Sequence, residues 1–356
     1  MLLCRYEPYF VGGLPGSIVL DLQVEPRHVG HGTNGKVVAF ATPHGWVAVK
    51  VFKTGQNSLT NQEIAFFGNS HVERVKYERL LVRCGFVQSL LCKAGRSCKV
   101  CLACNVKPVS KHHHVVMPLM STSVHDMLRD DENLVDLSTR MHIFSSIACI
   151  VQNLADHQIL FGDLKLENIV YNQYNQAVLG CDVGALFRLD HRAMWEKQAT
   201  KFVLNHTMRT VVFADNKHAK HATPLVSMPA TYVNLFLQLD NANYADLSDA
   251  THHTNHFSLL CVLMDLLAIR PPRFTLCRTR KARIQACAYY NNCTDYVDKM
   301  SNKSVQAKLA SQTNCNSKIV QLIDLVCQTW QACNQFQIQQ NYAALLGQQV
   351  QSIMQS

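Results

Sequence analysis

The chain has 356 residues, 48% of them hydrophobic and 17% charged, with a mean hydropathy of -0.03. That composition can bury a sizeable core and excludes a disordered or fibrous chain. Lys+Arg 34 against Asp+Glu 25 leaves a formal charge of +9. The excess favours anionic partners in a general way, but no long Lys/Arg block is present, so nucleic-acid binding is not indicated beyond it.

The most membrane-like apolar run, 257–269, is broken by Asp265. It falls short of the roughly 20 residues that span a bilayer. The first residues show no basic segment followed by an apolar core, so the expectation is a soluble, unsecreted protein without a membrane partner. Cysteines number 15, and in that setting they read as reduced thiols of an intracellular chain.

In chain order, Val37-Val38-Ala39-Phe40 and the run from Trp46 to Phe52 are β-branched and aromatic. Thr42-Pro43-His44-Gly45 between them is a turn signal, which predicts a hairpin. Asn57-Ser58-Leu59-Thr60 then gives a polar start to a predicted helix over 61–67. Residues 92–114 read as a loop-like insert, and Val115-Val116-Met117 as a buried strand. Beyond it the pattern turns helical. Ile143, Ile147, Ile150, Val151 and Leu154 recur at helical spacing within 141–160. Residues 257–267 are apolar nearly all round, as in a buried central helix. Residues 319–330 form a further amphipathic helix. The glutamine-rich end reads either as a terminal helix around Leu345 and Leu346 or as a frayed tail.

Three constellations carry chemistry. Gly30-His31-Gly32-Thr33-Asn34-Gly35-Lys36-Val37 fits G-x-G-x-x-G-x-V. Glycines there let backbone N–H groups approach phosphates. A dinucleotide fingerprint would join a strand to a helix, whereas this run enters a strand that a second strand follows. Val47-Ala48-Val49-Lys50 lies on that second strand, and Lys50 offers a point charge for α/β-phosphates. Glu63 is the first candidate to brace it, with Glu73 and Glu78 as competitors.

The third constellation is Gly162-Asp163-Leu164-Lys165-Leu166-Glu167-Asn168, followed by Asp182-Val183-Gly184. Phosphoryl transfer to a hydroxyl needs a carboxylate for the proton, a cation near the moving phosphate and oxygen ligands for a metal. Asp163, Lys165, Asn168 and Asp182 supply these in order. Carboxylate and amide oxygens suit Mg²⁺.

From about residue 25 to about 340 the chain resembles a eukaryotic-type protein kinase on these motifs. Lys165, two residues after the candidate base, resembles the serine/threonine branch. The resemblance implies an α+β, bilobal protein-kinase-like fold. A small antiparallel-sheet N-lobe with one helix (1–117) would precede a larger, mainly helical C-lobe (118–340) and a glutamine-rich end (341–356). It implies ATP and Mg²⁺ as cofactors, and protein substrates as partners. Met117, Leu119 and Met120 fall where the family contacts adenine. Ala222 to Ala230 resembles the end of an activation segment, and Asn255 to Leu260 the start of the helix that supports the catalytic loop.

Several positions depart from the family pattern. Phe161 and Gly162 replace His-Arg, Val183 a phenylalanine, Ala230 a glutamate, Asn255 an aspartate and Leu260 a glycine. With no cation at 162 to grip a phosphorylated loop, the expectation is activity independent of activation-loop phosphorylation. This drift resembles kinases of large DNA viruses, and the 117–128 run is loosely similar to the hinge of herpesvirus-type protein kinases. A viral kinase would work in the host cytoplasm or nucleus. The alternatives are a pseudokinase scaffold and a small-molecule phosphotransferase of similar fold.

Cys92, Cys98, Cys101 and Cys104 crowd the insert, with His112-His113-His114 after them. They offer a zinc clamp. The spacing differs from two C-x-x-C pairs a dozen or more residues apart, and so favours reduced cysteines in a hairpin extension.

Overall fold

The computed structural model describes residues 4–6, 18–31, 35–43, 45–52, 66, 71–95, 98–105, 111–130, 135–161, 164–173, 175–183, 186–188, 244–267, 317–334 and 341–356. Among them the chain is mixed α+β, with antiparallel sheets and seven α-helices. No helix of the described residues is long and apolar enough to cross a membrane. Contacts divide the chain into two units. Met1–Ser123 with Val170–Gly184 form the first, and Val124–Ile169 with Ala185–Ser356 the second.

The first unit is built on a five-stranded antiparallel sheet in the order β3-β4-β5-β7-β6. These strands are β3 (Arg27–His31), β4 (Gly35–Thr42), β5 (Gly45–Phe52), β6 (Leu90–Gly95) and β7 (Lys111–Pro118). Two short strands, β1 (Cys4–Tyr6) and β2 (Ile18–Leu20), pair separately. The predicted hairpin is β4–β5, closed where Thr42 faces Gly45. Gly45 takes φ +119°, a left-handed value that glycine tolerates best. The Thr42 hydroxyl donates to Gly45 O at 2.6 Å.

Helix α1 (His71–Arg83) follows β5, and the predicted helix over 61–67 lies outside the described residues apart from Phe66, which is helical. Its apolar stripe is weak. Val72 and Val82 are exposed, whereas Tyr77, Glu78 and Leu81 are buried. The residues read as a loop-like insert include ordered elements, namely strand β6, helix α2 (Lys99–Ala103) and the start of β7.

Strand β8 (Thr122–Ser123) pairs with β10 (Ile169–Asn172), and β11 (Ala177–Gly180) adds on its other side. A parallel bridge from Phe86 to Gly180 ties this segment to the chain leaving α1. Gly180 N donates to Gly85 O, and Val87 N to Gly180 O, both at 2.9 Å. The Phe86 ring lies so close that a Cβ on Gly180 would sit 2.7 Å from it. Residues 170–184 therefore group with the first unit.

The second unit is mainly helical. It holds α3 (Val124–Asp130), α4 (Leu137–Asp156), α5 (Tyr244–Leu266), α6 (Ser317–Asn334) and α7 (Tyr342–Gln355). Asp136 starts α4 by accepting from Thr139 N at 2.7 Å, an N-cap that holds its carboxyl below the usual range. Ile143, Ile147, Ile150, Val151 and Leu154 are all buried, as their spacing predicts. Arg140 donates to Leu266 O at 3.0 Å, satisfying a carbonyl at the end of α5. The glutamine-rich end is helical. Tyr342, Ala343, Leu346, Gly347 and Val350 are buried as α7 packs on α4. His256 stacks on Tyr342 with centroids 4.7 Å apart.

Gly35 tests the close approach of β4 and β5. A Cβ there would stand 2.5 Å from Val51 O, whereas Gly30 has nothing within 4 Å. We expect Gly35→Ala to lower unfolding free energy by about 1–3 kcal/mol and Gly30→Ala to leave it nearly unchanged. Urea titrations of the two variants against wild type measure both.

Candidate phosphate-handling site

Strand alternation puts the candidate nucleotide residues on one sheet face. Across the ladders Val37 faces Lys50, Ala39 faces Ala48, Ala48 faces Met117 and Lys50 faces Val115. Val37, Ala48, Lys50 and Met117 therefore share a side. Ala48 is buried. Gly30, His31, Gly35, Lys36 and Val37 lie on β3 and β4, and His31 pairs with Lys36. Gly32, Thr33 and Asn34 lie outside the described residues. Leu119 and Met120 follow β7, and Leu119 N donates to Trp46 O in a long 3.4 Å contact.

Lys50 and Asp182 meet. The ammonium donates to Asp182 Oδ1 at 2.8 Å across 132 residues of sequence. Their side chains are 12% and 31% exposed, so water screens the pair less than it would on an open surface. Lys50 also lies 5.5 Å from the Phe52 ring centroid. Asp182 takes φ +67°, a left-handed conformation that aspartate tolerates better than most residues. Holding it there costs on the order of 1 kcal/mol or more. Gly180 anchors the chain just before it, and buried Val183 pins it just after. Glu63 lies outside the described residues. Of its competitors, Glu73 is half-buried on α1 and Glu78 is buried.

In the second unit, β9 (Ile159–Phe161) pairs with β12 (Leu186–Arg188), with Phe161 opposite Leu186. Asp163 follows β9 by two residues but lies outside the described residues, as do Gly162, Gly184 and the predicted end of the activation segment, 222–230. Leu164 and Leu166 are buried while Lys165 between them is half-buried in an extended conformation. That alternation anchors the loop on both sides of Lys165. Asn168 is buried at the end of a short 3-10 turn, Leu166–Asn168, and its N–H donates to Lys165 O at 3.0 Å.

Asn255 holds this loop by its root. It is 1% exposed inside α5, and with its amide assigned the orientation that satisfies its neighbours it donates to Phe161 O at 2.7 Å and accepts from Phe161 N at 3.2 Å. An aspartate could accept from the N–H but not donate to the carbonyl. The amide, read in the sequence as a departure from the family, satisfies both backbone groups.

A second cluster lies in the first unit. Cys98, Cys101 and His114 are buried, with ligand atoms all within 4.8 Å of one another, so they could hold a metal ion. Cys104 is buried but outside this group. Cys92 is the ladder partner of His114. His114 has no place in a cysteine-only clamp read from sequence, and its position opposite Cys92 follows only from the β6–β7 register.

No protein-family model matches the chain, and a search of curated proteins finds no match. The residues themselves carry the functional argument.

Asn255→Ala would remove one partner from each of the N–H and C=O groups of buried Phe161, at about 0.5–1.5 kcal/mol for each bond. We expect a corresponding loss in urea-unfolding free energy. An unchanged midpoint would show that this grip does not hold the loop.

Proposed function

We propose that the chain is an ATP- and Mg²⁺-dependent serine/threonine protein kinase that transfers the γ-phosphoryl group to protein hydroxyls. The Lys50–Asp182 pair supports this most strongly. Two residues picked for phosphate and metal chemistry lie 132 positions apart and meet in one unit. A surface lysine and a turn aspartate would have no reason to do so.

The chemistry of the proposed ligands, one from each unit, suits the cofactor. Asp182 offers carboxylate oxygen and Asn168 amide oxygen, the hard ligands Mg²⁺ takes while keeping water and phosphate as its others. When bound, Mg²⁺ neutralises charge on the β- and γ-phosphates. On this reading Lys50 positions the α/β-phosphates, with Glu63 as the brace suggested by sequence. Residues 30–37 cover the phosphates with backbone N–H groups. Ala48 and Met117 border the adenine, whose edge pairs with backbone groups of Leu119 and Met120. Asp163 accepts or orients the hydroxyl proton, and Lys165 balances charge on the moving phosphoryl group. Catalysis is then positioning and charge stabilisation. The bilobal arrangement, the viral affinity and independence from activation-loop phosphorylation belong to the same proposal.

Radiolabelled ATP transfer to a generic basic protein tests it. Wild type should incorporate phosphate, and Asp163→Asn and Lys50→Met should each fall by at least about 100-fold. Undiminished transfer by both variants refutes the reading. Mg-ATP binding without transfer by wild type would favour a scaffold instead.

A further inference from the structure

The β6–β7 hairpin carries chemistry that phosphoryl transfer does not use. Helix α2 has five residues and could not stand in water alone. Cys98 sits at its N-cap and Cys101 one turn on, which places both on one side of the helix. His114 lies in β7 and is 0% exposed. Its Nε2 is 3.2 Å from Cys98 Sγ and 3.6 Å from Cys101 Sγ. Tetrahedral zinc, at about 2.3 Å from sulfur and about 2.0–2.1 Å from nitrogen, spaces its S and N ligands about 3.6 Å apart. The three side chains therefore already stand near zinc-ligand separation.

We propose that Cys98, Cys101, His114 and Cys92 form a structural zinc site that clamps α2 to the sheet. The β6–β7 ladder sets residue 92 directly opposite 114, which makes Cys92 the proposed fourth ligand. Structural zinc is closed by four protein ligands.

The clamp has a defined job. Cys98, Val100, Cys101 and Cys104 share one apolar cluster with Val38, Phe40, Val47, Val49, Val51 and Val116. Those strand residues alternate with the face that carries Ala48 and Lys50. The insert thus covers the reverse side of the sheet. Where α2 ends, Cys104 O accepts from Lys36 Nζ at 3.3 Å, which links the clamped insert to the strand leaving the glycine-rich run.

The test uses the full chain without a histidine tag, purified without chelators and analysed for metal by mass spectrometry. About one zinc per chain is expected, and less than about a tenth overturns the proposal. Replacement with Co²⁺ should give the thiolate-to-metal absorption of a tetrahedral site, whereas a purely octahedral spectrum would contradict it. Cys98→Ser, His114→Ala and Cys92→Ser should each lose most bound zinc, and Cys104→Ser should keep it. Zinc retained in Cys92→Ser but lost in Cys104→Ser would overturn the choice of fourth ligand. None of these readouts involves phosphate transfer, so the zinc site and the kinase reading fail separately.

Discussion

An ammonium on a central strand and a carboxylate 132 residues further along share a hydrogen bond of 2.8 Å within the first unit. Lys50 is fixed by the β4–β5–β7 ladder, which leaves its head on the face shared with Ala48 and Met117. Asp182 is brought in by a different device. Phe86 packs on Gly180, backbone bonds lock that bridge, and Val183 is buried just beyond. The left-handed backbone at Asp182 is held by these flanking contacts. On the proposed reading, this opposed pair of charges, fixed by separate elements, is the place prepared for a polyanion and its cation.

The sheet is apolar on both sides, and each side has its own task. Strands that face water on one side alternate polar and apolar residues. The run from Trp46 to Phe52 does not, because α2 and its cysteines cover the face that carries Val47, Val49 and Val51. The other face is left to Ala48 and Lys50. A five-residue helix holding that cover in place is the physical reason to expect a cross-link at Cys98, Cys101 and His114.

The hairpin, α4, α5 and α6 were legible because their patterns are strong. A turn signal joins two β-branched runs, and Ile143, Ile147, Ile150, Val151 and Leu154 repeat at helical spacing and are all buried. Helix α1 was not legible, since it exposes Val72 and Val82 and buries Glu78, which reverses the usual pattern. The helical glutamine-rich end is stabilised by packing of Leu346 and Val350, a tertiary effect that composition hides. Lys50 and Asp182 each stand out in the sequence, but their pairing depends on the Phe86–Gly180 bridge, which leaves no sequence signature. The role of Asn255 was hidden too, because a polar residue inside a buried helix reads as substitution until its two backbone partners are seen.

The central claim is that Lys50 and Asp182 prepare one site for a metal-bound triphosphate. Calorimetric titration of ATP, with Mg²⁺ and then with excess chelator, tests it on wild type and Asp182→Asn. The account predicts saturable binding to wild type that strengthens with Mg²⁺, and loss of that strengthening in Asp182→Asn. Equal ATP affinity with and without Mg²⁺ in wild type, or an unaltered Mg²⁺ effect in the variant, would contradict it.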